Sequence, residues 1–319
     1  MRKDRKHEIN VTTGRIQRYH EGGNATTYAF RGYKANKYFT SDRFIKLDEN
    51  FNRPDGKPLQ GYGLEIETEC NGIINETVLA DVYEKIIFDL FPADLFKMQH
   101  DISLGGCTNA ECITQVMTKE FIRNNYAAFK AMYNVYFPAF QISCTSGNCG
   151  MHVNLSNALF GTTEEKQAEA IRKLLYLVNR HYDLFVQLTA RDPNRTDYCR
   201  RMPQFATIAG AKAADLHNMP SSHGNCFNGS HFPEGRVELR IVGGQKDFGC
   251  FRNTMESVFH VVSAVRRLSW KDLDDITKVF AGCNQYVFDR LKSKCYNAGV
   301  ITVEQLDAIH ATMKEEHYL

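Results

Sequence analysis

The segment GYGLEIETEC (61–70) limits the possible folds more than any other stretch of the chain. Its alternation puts Tyr62, Leu64, Ile66 and Thr68 on one side and Gly63, Glu65, Glu67 and Glu69 on the other, the pattern of a strand with one buried face. Alternate side chains on a strand lie about 6.5–7 Å apart. Each neighbouring carboxylate pair therefore repels by about 0.6 kcal/mol in water and about 2.5 kcal/mol at an effective dielectric of about 20. A merely solvated strand could dilute that repulsion with Lys or Thr. Three glutamates kept at this spacing point to cations gathering there, and hard divalent ions such as Mg²⁺ take carboxylate oxygens while keeping positions open for phosphate.

Two further segments repeat the theme. Over 150–156, His152, Asn154 and Ser156 oppose Met151, Val153 and Leu155; over 236–241, Arg236, Glu238 and Arg240 oppose Val237, Leu239 and Ile241. Taken singly, each is also what the water face of an antiparallel strand looks like. In QHDISLGGCTNAE (99–111), Asp101 and Ser103 precede a Gly-Gly turn and Glu111 opens the next strand, a pattern that a plain hairpin shares.

Helical periodicity appears at 75–91, at 120–136 with an end before Pro138, at about 164–190 opened by Thr162-x-x-Glu165, at about 248–268 and at 303–316. The stripe of the second helix is Ile122, Tyr126, Phe129, Tyr133 and Tyr136; that of the third is Ile171, Leu174, Leu175, Val178, Tyr182 and Phe185. Residues 140–156 read as two strands joined by a tight Ser-Gly-Asn turn. The irregular order of strands and helices favours an α+β class over a doubly wound one.

Charge divides the chain. Residues 1–60 hold 13 Lys/Arg against 7 Asp/Glu, and 61–319 hold 26 against 30, so the net +2 excludes a global field that would draw the protein to nucleic acid or membrane. We read 1–60 as a basic N-terminal extension, either edge strands or an arm on the core, or a docking surface for an acidic partner. Residues 61–319 read as the main domain, ending in C-terminal helices. The start MRKDRKHEIN has no apolar stretch after its basic residues, and no apolar run nears the roughly 20 residues of a membrane helix. The ten cysteines are then expected to be reduced thiols in a cytoplasmic protein.

GLEIE (63–67), DISLGGCTNAE (101–111), CGMHVNLS (149–156) and VELRIVGG (237–244), in that order, resemble the amidoligases of the carboxylate–amine ligase superfamily, which includes glutamine synthetase and the glutamate–cysteine ligases. The resemblance covers about 60–268. It implies a glutamine-synthetase-like catalytic fold, a curved and mainly antiparallel sheet with a polar concave face backed by helices. It also implies ATP and Mg²⁺ (with Mn²⁺ as a substitute), small-molecule or peptide carboxylate and amine substrates, and a homo-oligomer. By position, Glu65 and Glu67 match paired metal ligands, Glu111 and Asp101 the next acidic ligands, His152 a strand histidine at the metal, and Glu238 and Arg240 a metal carboxylate and a phosphate-stabilising arginine. Where relatives often carry a second histidine this chain has Asn154, and Glu69 has no counterpart.

The implied chemistry activates a carboxylate by phosphorylation from ATP, after which an amine attacks the acyl phosphate to give an amide, ADP and phosphate. Glu69 and Glu111 are candidates for the base that takes the amine proton. ARDPNRTDYCRR (190–201) offers Arg191, Arg195, Arg200 and Arg201 to phosphates, or else a solvated salt-bridge loop; Asn225 with His223 offers a nucleotide or substrate loop. Zinc at His217, His223, Cys226 and His231, a thiolate site from Cys107, Cys112, Cys144 and Cys149, and a Cys149/His152 nucleophile pair fit the usual spacings poorly. No P-loop or Rossmann glycine pattern occurs. A binding protein that lost catalysis and a metal-dependent hydrolase are the competing functional classes.

Overall fold

The computed structural model describes residues 18–21, 25–28, 37–39, 44–46, 60–70, 82–83, 86, 89–91, 95–99, 109–145, 149–221 and 224–313. Asp101, Cys107, His223 and the Ser146-Gly147-Asn148 turn lie outside them. The chain forms two compact units, one of Met1–Val153 with Gly244–Phe248, the other of Asn154–Gly243 with Gly249–Leu319. It is a mixed α and β protein whose mainly antiparallel sheet is backed by helices. Among the described residues, no helix is long and apolar enough to cross a membrane.

In the first unit the strands are β1 (Arg18–Glu21), β2 (Ala25–Tyr28), β3 (Lys37–Phe39), β4 (Phe44–Lys46), β5 (Tyr62–Cys70), β6 (Phe96–Gln99), β7 (Asn109–Thr114), β8 (Val116–Met117) and β9 (Ile142–Ser143). β10 (Met151–Ser156) begins in this unit. Along the sheet the order is β1-β2-β6-β7-β5-β10. The N-terminal segment enters the sheet through β2, which pairs antiparallel with β6 at Thr27/Gln99 and Tyr28/Met98. β5 is central, with Leu64 and Ile66 fully buried as its alternation requires.

Two local expectations are corrected here. The segment 140–156 does not close on itself as a hairpin: β9 pairs with β5 at Ser143/Glu69 and Ile142/Cys70, and Gly150 O accepts the Glu67 N–H, so both halves lie against β5. The helical stretch 119–139, interrupted at Asn125, runs one residue past Pro138. A π-helical turn, Met132–Tyr136, moves the bonding forward by one residue and brings the Phe137 N–H to the Met132 carbonyl, so the proline sits in the first turn of the last segment, where a missing N–H is tolerated. Behind the sheet, Phe91 packs edge-on to Phe96 and against Phe129, while Phe137 meets both Tyr83 and Tyr133.

The second unit takes up β10 from Asn154 and adds β11 (Phe227–Asn228) and β12 (Arg236–Leu239), in the order β10-β12-β11. Its long helix runs Glu164–Arg180 and breaks at His181 before Tyr182–Leu188. The N-cap is Thr163, whose hydroxyl accepts the Lys166 N–H, one residue later than Thr162-x-x-Glu165 suggests. Of its apolar stripe, Ile171, Leu174, Leu175, Val178 and Phe185 are buried and Tyr182 is half-buried, and burial also reaches Lys173 and Asn179. The helix Phe248–Arg267 follows, and the described C-terminal helix is Val303–His310.

That last helix carries a full capping box. The Thr302 hydroxyl accepts the Gln305 N–H (3.2 Å), and the Gln305 side chain accepts the Thr302 N–H (3.0 Å). Thr302→Ala should lower unfolding stability by about 1 kcal/mol, measured by urea denaturation, while Thr302→Ser leaves it nearly unchanged.

Candidate metal centre

Strand pairing assembles the acidic cluster. β5 and β7 set Glu67 directly opposite Glu111 and Glu65 opposite Ile113, so Glu65, Glu67 and Glu111 share one face. Like charges directly opposite are destabilising, and this pair is withdrawn from water: Glu67 is 7% exposed and Glu111 9%. β10 brings His152, also buried, into the same cluster. Its Nδ1 lies 3.2 Å from Glu65 Oε2 and its Nε2 lies 3.5 Å from Glu67 Oε1.

Glu65, Glu111 and His152 each offer a ligand atom, all within 4.8 Å of one another. Among the described residues this is the one group of His, Cys, Asp and Glu so disposed. Two carboxylates and an imidazole, partly shielded from water, suit a divalent ion that accepts oxygen and nitrogen donors. Glu67 stands outside that group. Its Oε2 accepts the Gly150 N–H at 2.5 Å, which fixes the carboxylate against the chain just ahead of β10. Glu69, partly exposed at the far end of β5, faces Asn109 and Ser143 across the strands.

Glu238 and Arg240 belong to the second unit and pair with each other. Arg240 NH1 donates to Glu238 Oε1 at 2.7 Å, and both side chains are buried. Asn228 Nδ2 donates to the other carboxylate oxygen at 3.1 Å, and Asn228 Oδ1 in turn accepts from the Ser230 N–H and hydroxyl. Sequence reading passed over Asn228 because only the β11–β12 register sets it opposite Glu238. Arg240 lies just past the end of β12, not within a strand to 241; its N–H and that of Ile241 both turn to the Cys226 carbonyl.

The arginines of 190–201 do not act as one phosphate cluster. Arg191 is buried and donates through one nitrogen to the carbonyls of Arg240 (2.8 Å) and Val242 (2.9 Å), clamping the chain after β12. Arg201 Nε donates to the Asn179 carbonyl at the end of the long helix. Arg195 is exposed beside Asp192 at 3.7 Å. Arg200 and Asn225 are neighbours through a parallel backbone bridge, and the Arg200 guanidinium lies over Gly224.

The other expected donors are occupied elsewhere. His217 pairs with Glu164, His231 with Glu234, and the Cys226 thiol donates to Asn179 Oδ1. The described cysteines are free and buried. Burial pushes the Cys70, Cys226, Cys283 and Cys295 thiols up to about 12, and those of Cys112 and Cys144 well above the ordinary thiol value. These thiols are protonated at neutral pH, which suits neither thiolate ligands nor nucleophiles. Comparison with known proteins finds no matching family model and no matching curated relative.

Proposed function

We propose that the chain is an ATP- and Mg²⁺-dependent carboxylate–amine ligase of the amidoligase type, joining small-molecule or peptide substrates through an acyl phosphate in the cytoplasm. The observation that carries this reading is the meeting of Glu65, Glu111 and His152 on one face of an antiparallel sheet, with Glu67 beside them. A curved sheet with a glutamine-synthetase-like concave site is the architecture that goes with it.

Each residue then has a separate task. Glu65, Glu111 and His152 would hold a divalent ion, His152 through Nδ1, the ring nitrogen nearer Glu65. Glu67 faces the other ring nitrogen and orients the imidazole, a positioning part played through His152 and stiffened by the Gly150 N–H. A metal held there would supply positive charge to neutralise phosphate oxygens. Arg240 supplies a planar cation for the transferred phosphoryl group. Glu238, with one oxygen on Arg240 and the other on Asn228, fixes that guanidinium's plane and is a positioning residue in preference to a metal ligand. Glu69 stands one strand repeat beyond Glu67 as the base for the incoming amine.

Purified protein should release ADP from Mg-ATP when an acid and an amine of the right kind are supplied together. Arg240→Ala should lower turnover by about 10²–10³-fold with little change in metal affinity. Turnover that needs metal but no ATP would replace the ligase by a hydrolase. Mg-dependent ATP binding without turnover, across a broad panel of acids and amines, would leave a binding protein.

A further inference from the structure

The second unit carries a cleft remote in kind from the acidic cluster. It encloses about 460 Å³ and is lined by Phe160, Lys166, Glu169, Lys173, Val265 and Arg266, among others. Its walls are the first turns of the helix Glu164–Arg180 and the last turn of the helix Phe248–Arg267. Three cations against one carboxylate give the lining a formal +2.

The charges are unequally satisfied. Lys173 is buried, with its ammonium 3.0 Å from Glu169 Oε1, so one positive charge is matched. Lys166 and Arg266 are exposed and enter no ion pair among the described residues. Lys166, Glu169, Ala170 and Lys173 lie at three- and four-residue spacing and so share one helix face. A helix face that only meets water does not bury a lysine, whose ordering and desolvation both cost free energy. Lys173 is held there by the cleft wall, with Phe160, Ala170 and Val265 giving that wall an apolar part.

The geometry points to a binding site for a small dianion with an apolar body, a phosphate monoester being the chemical class that fits. Lys166 and Arg266 would meet the phosphate oxygens, Arg266 through paired N–H groups, and the apolar wall would take the organic part. The volume lies within the range of small-molecule sites. Nothing in this inference depends on the ligase reading.

Calorimetry on the full chain in EDTA, which keeps metal off the acidic cluster, tests it with phenyl phosphate, inorganic phosphate and benzyl alcohol as probes. Phenyl phosphate should bind more tightly than inorganic phosphate, and benzyl alcohol should not bind. The exposed double substitution Lys166→Ala/Arg266→Ala should weaken phenyl phosphate binding by at least about tenfold per removed charge contact. A single substitution of the exposed Lys292→Ala, outside the cleft lining, should change nothing. Absence of phenyl phosphate binding at millimolar concentration, or unchanged affinity in the double variant, overturns the assignment. So does a benzyl alcohol affinity equal to that of phenyl phosphate.

Discussion

Glu65→Ala, Glu111→Ala and His152→Ala are each expected to abolish saturable Mn²⁺ binding, whereas Glu67→Gln weakens it by about 10–100-fold and leaves it measurable. The first three remove one donor from a set of three whose atoms lie within 4.8 Å of one another. Glu67→Gln keeps the shape and a hydrogen-bonding group beside His152 Nε2 but removes the charge that favours the correct tautomer. Mn²⁺ should bind more tightly than Mg²⁺, because an imidazole ligand suits the softer ion. Affinity should fall with pH, since protons compete for every ligand in the set.

The readout can separate ligand loss from misfolding. If the wild type binds the ion, metal at about 100 times its dissociation constant should add about 2.7 kcal/mol to stability and raise the melting temperature. The alanine variants should lose that increment. Without metal, each variant should still unfold cooperatively, so that loss of the increment marks loss of a ligand and not of the fold. Unaltered Mn²⁺ affinity in Glu111→Ala would end the metal-centre assignment and with it the ligase reading.

How far the site was legible follows from which interactions are local. The period of two over 61–70 was enough to orient Glu65, Glu67 and Glu69, because strand alternation is a property of the backbone alone. The same held for His152 on β10. Which carboxylate meets which ring nitrogen was not legible, since it depends on the β5–β7 register and on the placement of β10 against β5. Arg191 read as one of four phosphate-seeking arginines. Its burial, and the two carbonyls it serves, arise from contacts some fifty residues along the chain. The hairpin expected at 140–156 failed for a related reason: local turn chemistry suggests a partner, but β5 offered a longer edge to both halves.

Gly244→Ala should destabilise the protein by more than about 3 kcal/mol, and soluble expression should fall sharply. A Cβ on Gly244 would stand 1.5 Å from the Cys144 carbonyl oxygen and 2.7 Å from its carbon. Those are backbone atoms next to Ser143, which the sheet holds against Glu69, so the obstacle cannot turn aside as a side-chain tip would. Gly243 is confined in the same way: its Cβ would lie 2.2 Å from the Ala190 oxygen, while its N–H bonds the Thr189 carbonyl. Gly235 gives the contrast. Its φ is +89° with open space around it, so Gly235→Ala should cost only the left-handed backbone strain of about 1–2 kcal/mol. The two glycines that end VELRIVGG are therefore required by close backbone packing. If they instead kept backbone open for a phosphate, Gly244→Ala would unfold in urea like the wild type and lose only nucleotide affinity. Equal urea midpoints for Gly244→Ala and the wild type would thus favour the phosphate role, and a midpoint far below that of Gly235→Ala favours packing.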